Sequence, residues 1–164
     1  MMKQILIALL ISASATCFAQ SFVLGDVNTD WFETEEGANG ELYDYLNANA
    51  NPVSGRKVIA FYDFDLREHP CHYGRSYEGG VYYEMNSCEE EGGDNEKLFL
   101  PADTDIDKLK AWIETFAVLR EEYYTSENFS WQNGTYAPHG EAGCYYTISE
   151  DQYGRKVVEI YCGC

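Results

Sequence analysis

Cysteine and histidine are the residue types in this chain best suited to metal binding or nucleophilic catalysis. The sequence holds six cysteines and three histidines. Two stretches place them together: His69, Cys71 and His72 in REHPCHYGR, and His139 with Cys144 in PHGEAGC. Each stretch offers a thiol beside an imidazole, the combination used by zinc sites and by cysteine nucleophiles. The spacing matches no usual zinc motif, and neither cysteine starts a predicted helix that would activate its sulfur, so structural disulfides are the favoured interpretation.

Closely spaced carboxylates form two further candidate sites. Asp63 and Asp65 lie on one face at the end of a predicted strand, where they could act as the acid and base of a hydrolase. A second run reproduces the acidic positions of a calcium loop. It consists of Asp103, Asp105, Asp107 and Glu114. Because Lys108 replaces the required glycine and the run begins an amphipathic helix, the sequence predicts no metal ion and no cofactor.

The N-terminal 19 residues have the features of a signal peptide. Lys3 supplies a positive charge, residues 5–11 are apolar, and Ala19 ends a small-residue cleavage site. The apolar run is shorter than the ~20 residues that a membrane span needs. We therefore expect export to the periplasm or the extracellular space as one domain, residues 20–164, without membrane insertion. Lipidation of Cys17 is the alternative, although the residues before it fit a lipoprotein signal poorly.

In an oxidising compartment the remaining cysteines are expected to form disulfides. They are Cys71, Cys88, Cys144, Cys162 and Cys164. Counting outward from the turn of the last predicted hairpin places Cys144 opposite Cys162, whereas a register shift of two residues would place it opposite Cys164. Cys71 and Cys88 are then paired by elimination. The odd number leaves one thiol without a partner in the chain.

Hydrophobic patterning predicts an α+β domain, stabilised by disulfides, in which one long amphipathic helix packs on a sheet. The sheet is antiparallel or mixed, with about five to seven short strands. Strand patterns cover residues 57–64, 81–85, 97–100, 129–132, 135–137, 144–149 and 156–162. The first strand is placed centrally because apolar residues occupy both of its faces. A loop through residues 65–80 connects it to the second strand.

Two helices and one tight turn complete the predicted architecture. The long helix is expected from residue 104 to about residue 123, with Thr104 as its N-cap and Asp107 completing a capping box. A short helix is indicated at residues 41–46. The dipeptide Asn133-Gly134 favours a tight hairpin turn that would place Trp131 opposite Tyr136.

The most informative global property is the charge. The chain has 28 acidic against 11 basic residues and a formal net charge of −17, which disfavours nucleic acid as a partner. A dense acidic loop follows two tyrosines, and acid beside aromatic residues is suited to gripping a basic protein. The predicted partner-binding residues are Tyr82, Tyr83, Glu89, Glu90, Glu91, Asp94 and Glu96.

The sequence contains no phosphate loop, nucleophile elbow or dinucleotide motif, so a binding protein is favoured over an enzyme. We expect a secreted or periplasmic acidic binding or inhibitor module that captures a cationic protein. A cell-wall hydrolase, a lysozyme-like enzyme or a toxin neutralised by an immunity protein would be such a partner. The alternatives are a small periplasmic hydrolase using the carboxylate pair or a Cys/His site, and a calcium-binding or structural envelope protein.

Overall fold

The computed structural model describes residues 22–34, 42–62, 70–88, 94–121, 125–140 and 142–163. Within these ranges one sheet contains eight strands: β1 Lys57–Phe61, β2 Pro70–Tyr77, β3 Val81–Asn86, β4 Asp94–Leu100, β5 Phe129–Gln132, β6 Thr135–Pro138, β7 Gly143–Glu150 and β8 Lys156–Gly163. All neighbouring strands are antiparallel, in the order β1-β2-β3-β4-β8-β7-β6-β5. The helices are α1 Thr29–Phe32, α2 Leu42–Asn49 and α3 Ile106–Arg120.

The helices cover one face of the sheet and form the hydrophobic core with it. The apolar side chains of α2 and α3 are buried against alternate residues of the central strands, including Leu98, Val158 and Ile160. Aromatic rings join the helices to one another: the ring of Phe116 stacks on Trp112 at 4.8 Å and meets the edge of Tyr45 at 5.2 Å between centroids. None of the described helices is long and apolar enough to cross a membrane.

The other face of the sheet carries the side chains that alternate with the core residues. We call it the open face. Its members across the central strands are Tyr82, Glu84, Lys97, Phe99, Glu159 and Tyr161. None of these six belongs to the hydrophobic core. A one-sided sheet of this kind is usual for antiparallel strands, because one face can stay in water.

The prediction that the first strand lies centrally is wrong. β1 is an edge strand that pairs only with β2 among the described residues. Ile59 and Phe61 are 48% and 49% exposed, and the register with β2 is irregular at two points. Apolar residues on both faces are compatible with two-sided burial but do not require it, since they say nothing about which strands lie alongside.

The strand count and the long helix also differ from expectation. Residues that were predicted to form a loop form β2 instead. Pro70 occupies the first position of this strand, where a backbone N–H is not needed for pairing. The helix α3 is shorter than predicted, with 15 residues. It begins after Asp105, whose carboxylate accepts hydrogen bonds from the amides of Asp107 at 3.0 Å and Lys108 at 3.1 Å. Asp105 rather than Thr104 is therefore the N-cap.

The local pairings agree with the sequence. Asn133 and Gly134 both have positive φ, 51° and 85°, as the tight turn requires, and Trp131 lies opposite Tyr136. Leu42, Tyr45 and Leu46 are buried on the short helix α2. Disulfides join Cys71 to Cys88 and Cys144 to Cys162. Of the two pairings predicted for Cys144, the structure thus has the one with Cys162 and not the one with Cys164. Cys164 itself lies outside the described residues.

A buried ion pair links the sheet to the C-terminal end of α3. Glu96 on β4 is completely buried, and its Oε1 lies 2.6 Å from Nη2 of Arg120. The Tyr83 hydroxyl donates to the other carboxylate oxygen, Oε2, at 2.7 Å. Burial, reinforced by the negative Glu96, raises the pKa of Tyr83, so the hydroxyl keeps its proton. Burial opposes the charge of Arg120, but its interactions with Glu96, together with those with Tyr146 and Tyr83, raise the pKa of that guanidinium overall.

Removing one partner of this pair should be far more costly than removing a surface partner. Arg120→Met leaves the Glu96 charge uncompensated in the core and should lower the free energy of unfolding by about 3–5 kcal/mol. Lys97→Met, which breaks the exposed Lys97–Glu159 pair on the same strand, should cost only about 0–1 kcal/mol. Urea unfolding of both variants measures the difference. Equal losses would contradict a charged Glu96 in the core.

Candidate functional site

Acidic residues on the strands and in the β7–β8 turn have cationic partners. Nε2 of His72 lies 2.8 Å from Oε1 of Glu84, and Nζ of Lys97 lies 2.8 Å from Oε1 of Glu159. The remaining pairs are Arg155 with Asp151 and Lys156 with Glu150. Together with the buried Glu96–Arg120 pair, they use four of the 11 lysines and arginines in the chain.

The helical side of the molecule has the opposite character. Several exposed carboxylates there make no ion pair with any cation in the part of the chain that the structure describes. They are Asp26, Asp30, Glu33, Asp44, Asp103, Asp105, Asp107 and Glu114. Only Lys108 and Lys110 add positive charge beside them on the surface of α3. We call this region the acidic helical surface.

A cleft of about 430 Å³ opens at one end of the acidic helical surface. Three carboxylates line it, those of Glu78, Asp103 and Asp105, and no lysine or arginine of the described residues does. The apolar part of its wall consists of Phe22, Val23, Leu24, Ala50 and Pro101. We call it the acidic cleft. Its polar lining can accept hydrogen bonds from a cation, and its apolar lining can cover an aliphatic chain.

Four segments far apart in the sequence meet to form the acidic cleft. The N-terminal segment lies directly on the turn between β2 and β3, where Gly79 has a φ of 72°. A Cβ on Gly79 would lie 2.0 Å from Cγ2 of Val23, so only glycine permits this approach. The amide of Glu78 donates to the carbonyl oxygen of Asn51 at 2.9 Å, and Nδ2 of Asn51 donates back to Oε2 of Glu78 at 2.9 Å.

The loop between β4 and α3 is the fourth segment that forms the acidic cleft. The amide of Thr104 donates to the carbonyl oxygen of Pro101 at 3.1 Å, which turns the chain and places Asp103 and Asp105 on either side of Thr104. Oγ1 of Thr104 is buried and has no hydrogen-bond partner among the described residues. A buried hydroxyl without a partner is uncommon in native proteins. Thr104 is also one of the residues that line the acidic cleft.

The predicted partner-binding residues that the structure describes lie in different environments. Tyr83 and Glu96 are both fully buried in the core. Tyr82 is half-buried on the open face, since neighbouring strand residues point to opposite faces. Asp94 starts β4 opposite Cys162 in the strand register. The remaining three, Glu89, Glu90 and Glu91, lie outside the described residues.

The Cys/His hypotheses are wrong because both sulfurs are used in disulfides. Cys71 and Cys144 therefore offer no thiolate as nucleophile or zinc ligand. His72 bonds to Glu84 instead, and His139 is an exposed residue. Among the described residues no three His, Cys, Asp or Glu side chains are grouped so that they could hold a metal ion.

The other acidic hypotheses have different outcomes. The calcium-loop alternative is wrong, since Asp105 caps α3 and Asp107 belongs to its first turn. The hydrolase pair Asp63 and Asp65 lies outside the described residues, as do His69 and the predicted signal peptide with Cys17. The acidic cleft itself was missed at the sequence level. The acidic density after Pro101 was a visible signal, but nothing local indicates that residues 22–24 and Glu78 join it.

Substituting the glycine beneath the N-terminal segment should open the acidic cleft. In Gly79→Ala the new Cβ would displace Val23. Overpacking of this kind should lower the free energy of unfolding by about 1–3 kcal/mol, in addition to the loss caused by alanine at a positive φ. The matched control is Gly25→Ala, which has a similar φ of 65° but open space around the Cβ. Thermal unfolding and hydrogen exchange of residues 22–27 measure the effect. If both variants lost the same stability, the contact with Val23 would have no structural role.

Comparison with protein-family models, with curated proteins and with solved structures found no match to this chain. Its function must therefore be argued from the chemistry of its own surfaces.

Proposed function

We propose that the protein is an exported acidic binding module that captures a basic protein. The partner docks on the acidic helical surface and places a lysine or arginine side chain in the acidic cleft. A module of this kind acts as an inhibitor or an immunity factor when its partner is a basic cell-wall hydrolase or toxin. The periplasm or the extracellular space is the compartment proposed for this encounter.

One observation carries the proposal: among the described residues, the carboxylates of the acidic helical surface form no ion pair. The described carboxylates that do form ion pairs lie on the strands and in the β7–β8 turn. A one-sided negative field attracts a positive partner and also orients it during approach. An even distribution of the same charge would attract a basic protein without orienting it.

The lining of the acidic cleft supports a lysine or arginine side chain as the inserted group. The aliphatic stem of such a residue would contact Phe22 and Pro101, and its charged end would reach Glu78 and Asp103. Hydrogen bonds from a cation to a carboxylate are roughly twice as strong as neutral ones.

The scaffold supports tight binding because little has to be ordered on association. Two disulfides clamp the sheet, one of them across β7 and β8. Rigid surfaces bind with a smaller entropic cost than flexible ones. Disulfides also form and persist in oxidising compartments, which supports the export proposed here.

The binding experiment begins with capture from a periplasmic extract at low salt, followed by purification of the captured protein. We expect a basic protein whose affinity falls steeply as NaCl rises to about 1 M, where the screening length is about 3 Å. Glu78→Gln combined with Asp103→Asn should weaken binding by about tenfold or more, which is about 1.4 kcal/mol. Acetylating the partner's lysines, with its arginines left intact, identifies which cation inserts.

The matched control combines Glu127→Gln with Glu150→Gln, which changes the net charge equally at exposed carboxylates outside both the cleft and the acidic helical surface. This control should weaken binding by less than about threefold, through steering alone. Three outcomes would refute the proposal: no protein partner at low salt, a complex unchanged at 1 M NaCl, or equal losses for the cleft and control variants.

A further inference from the structure

A tyrosine ring lies flat on the open face. Tyr82 on β3 extends over Gly74 on β2, and a Cβ on Gly74 would lie 2.1 Å from its hydroxyl oxygen and 2.6 Å from its Cζ. The ring can occupy this position only because residue 74 has no side chain. The ring therefore leans over β2 rather than standing upright from the sheet, and the residue is half-buried. Phe99 continues this patch, with its ring 5.7 Å from that of Tyr82.

A second tyrosine repeats this arrangement on β8. Tyr161 is 46% exposed, and its ring lies against Gly163, two residues along the same strand. A Cβ on Gly163 would lie 2.9 Å from the Tyr161 hydroxyl oxygen and 3.0 Å from a ring carbon. The half-buried ring of Tyr82 and the exposed ring of Tyr161 thus both lie against glycines on the same face. At about 3.4 Å per residue and 4.8 Å between strands, the Cα atoms of the two tyrosines are roughly 17 Å apart.

Hydrogen-bonding groups of both charge signs lie between the two tyrosines. Glu84, Lys97 and Glu159 form one row across β3, β4 and β8. The row continues through Thr147, whose hydroxyl bonds to that of Thr135 at 2.9 Å. His72 pairs with Glu84 and Lys97 with Glu159, both at 2.8 Å, so donors and acceptors alternate with little net charge.

We propose that the open face binds an extended, uncharged polysaccharide. The apolar C–H faces of two sugars in the chain stack on Tyr82 and Tyr161, and hydroxyl groups of the sugars between them bond to the row of Glu84, Lys97 and Glu159. The separation of the two rings is longer than one sugar ring, so the surface suits a chain rather than a monosaccharide. This site is independent of the acidic helical surface on the other side of the sheet.

The charge distribution favours an uncharged ligand over the other occupants. A cation is drawn to the helical side, where the unpaired carboxylates lie, and an anion is repelled by the net charge of −17. Packing against a second copy would bury the Glu84–Lys97–Glu159 row, and desolvating these charges is costly. Sugar hydroxyls instead replace the water that already hydrogen-bonds to the row.

Native gel electrophoresis in gels containing hydroxyethyl cellulose, galactomannan or glycol chitin tests the inference with the oxidised protein. Migration should be retarded by at least one of these uncharged polymers and not by dextran sulfate. Tyr82→Ala and Tyr161→Ala should each raise the apparent dissociation constant by about tenfold. Tyr82→Phe and Tyr161→Phe should keep the affinity within about threefold, because the stacking face of the ring is retained.

Two further variants separate ring geometry from fold and from protein binding. Gly74→Ala forces the Tyr82 ring off the sheet and should weaken retardation although the ring remains, with thermal unfolding as the check on folding. Asp103→Asn in the acidic cleft should leave retardation unchanged. Absence of retardation in all three uncharged gels would overturn the inference. The inference would also be overturned if the alanine variants migrated like the unsubstituted protein. It would likewise be overturned if sedimentation showed that the protein self-associates and that these variants abolish the association.

Discussion

Alternation along antiparallel strands sends neighbouring side chains to opposite faces of a sheet, and in this protein the described helices cover only one of those faces. Everything else in the architecture depends on that division. Leu98 faces α2 and α3, whereas its neighbours Lys97 and Phe99 face away from them. The same division puts Tyr83 in the core beside Glu96 and leaves Tyr82 on the open face.

The buried Glu96–Arg120 pair fixes how the helical layer sits on the sheet. Arg120 ends α3, so its contact with β4 ties the far end of the helix to the centre of the sheet. Buried ion pairs rarely add net stability over well-packed apolar residues, but they penalise arrangements that separate the two charges. Our hypothesis is that this pair selects one position of α3. A double-mutant cycle between Glu96 and Arg120, combined with amide hydrogen exchange in α3, tests this hypothesis. If the amides of α3 exchanged equally slowly without the pair, the hypothesis would be contradicted.

The scarcity of cations separates the two surfaces chemically. Four lysines and arginines of the described residues pair with carboxylates on the strands, in the β7–β8 turn or in the core, whereas no ion pair is found at the carboxylates of the acidic helical surface, which keeps a surplus of negative charge. One side of the molecule is consequently suited to a cationic protein and the other to an uncharged ligand. The two proposals can fail separately, because the acidic cleft and the open face have no residue in common.

Short-range chemistry in the sequence determined the parts of this structure that form locally. Asn133-Gly134 specifies its own turn, and the acidic composition sets the net negative charge. The sequence left two registers open for the last hairpin, and the structure has the one that places Cys144 beside Cys162. Tertiary structure alone decided that β1 lies at an edge, that Glu96 is buried, and that residues 22–24, Glu78 and the loop before α3 enclose a cleft. The physical reason is distance along the chain: a turn constrains residues a few positions apart, whereas these contacts join segments whose meeting depends on how the whole helical layer packs on the sheet.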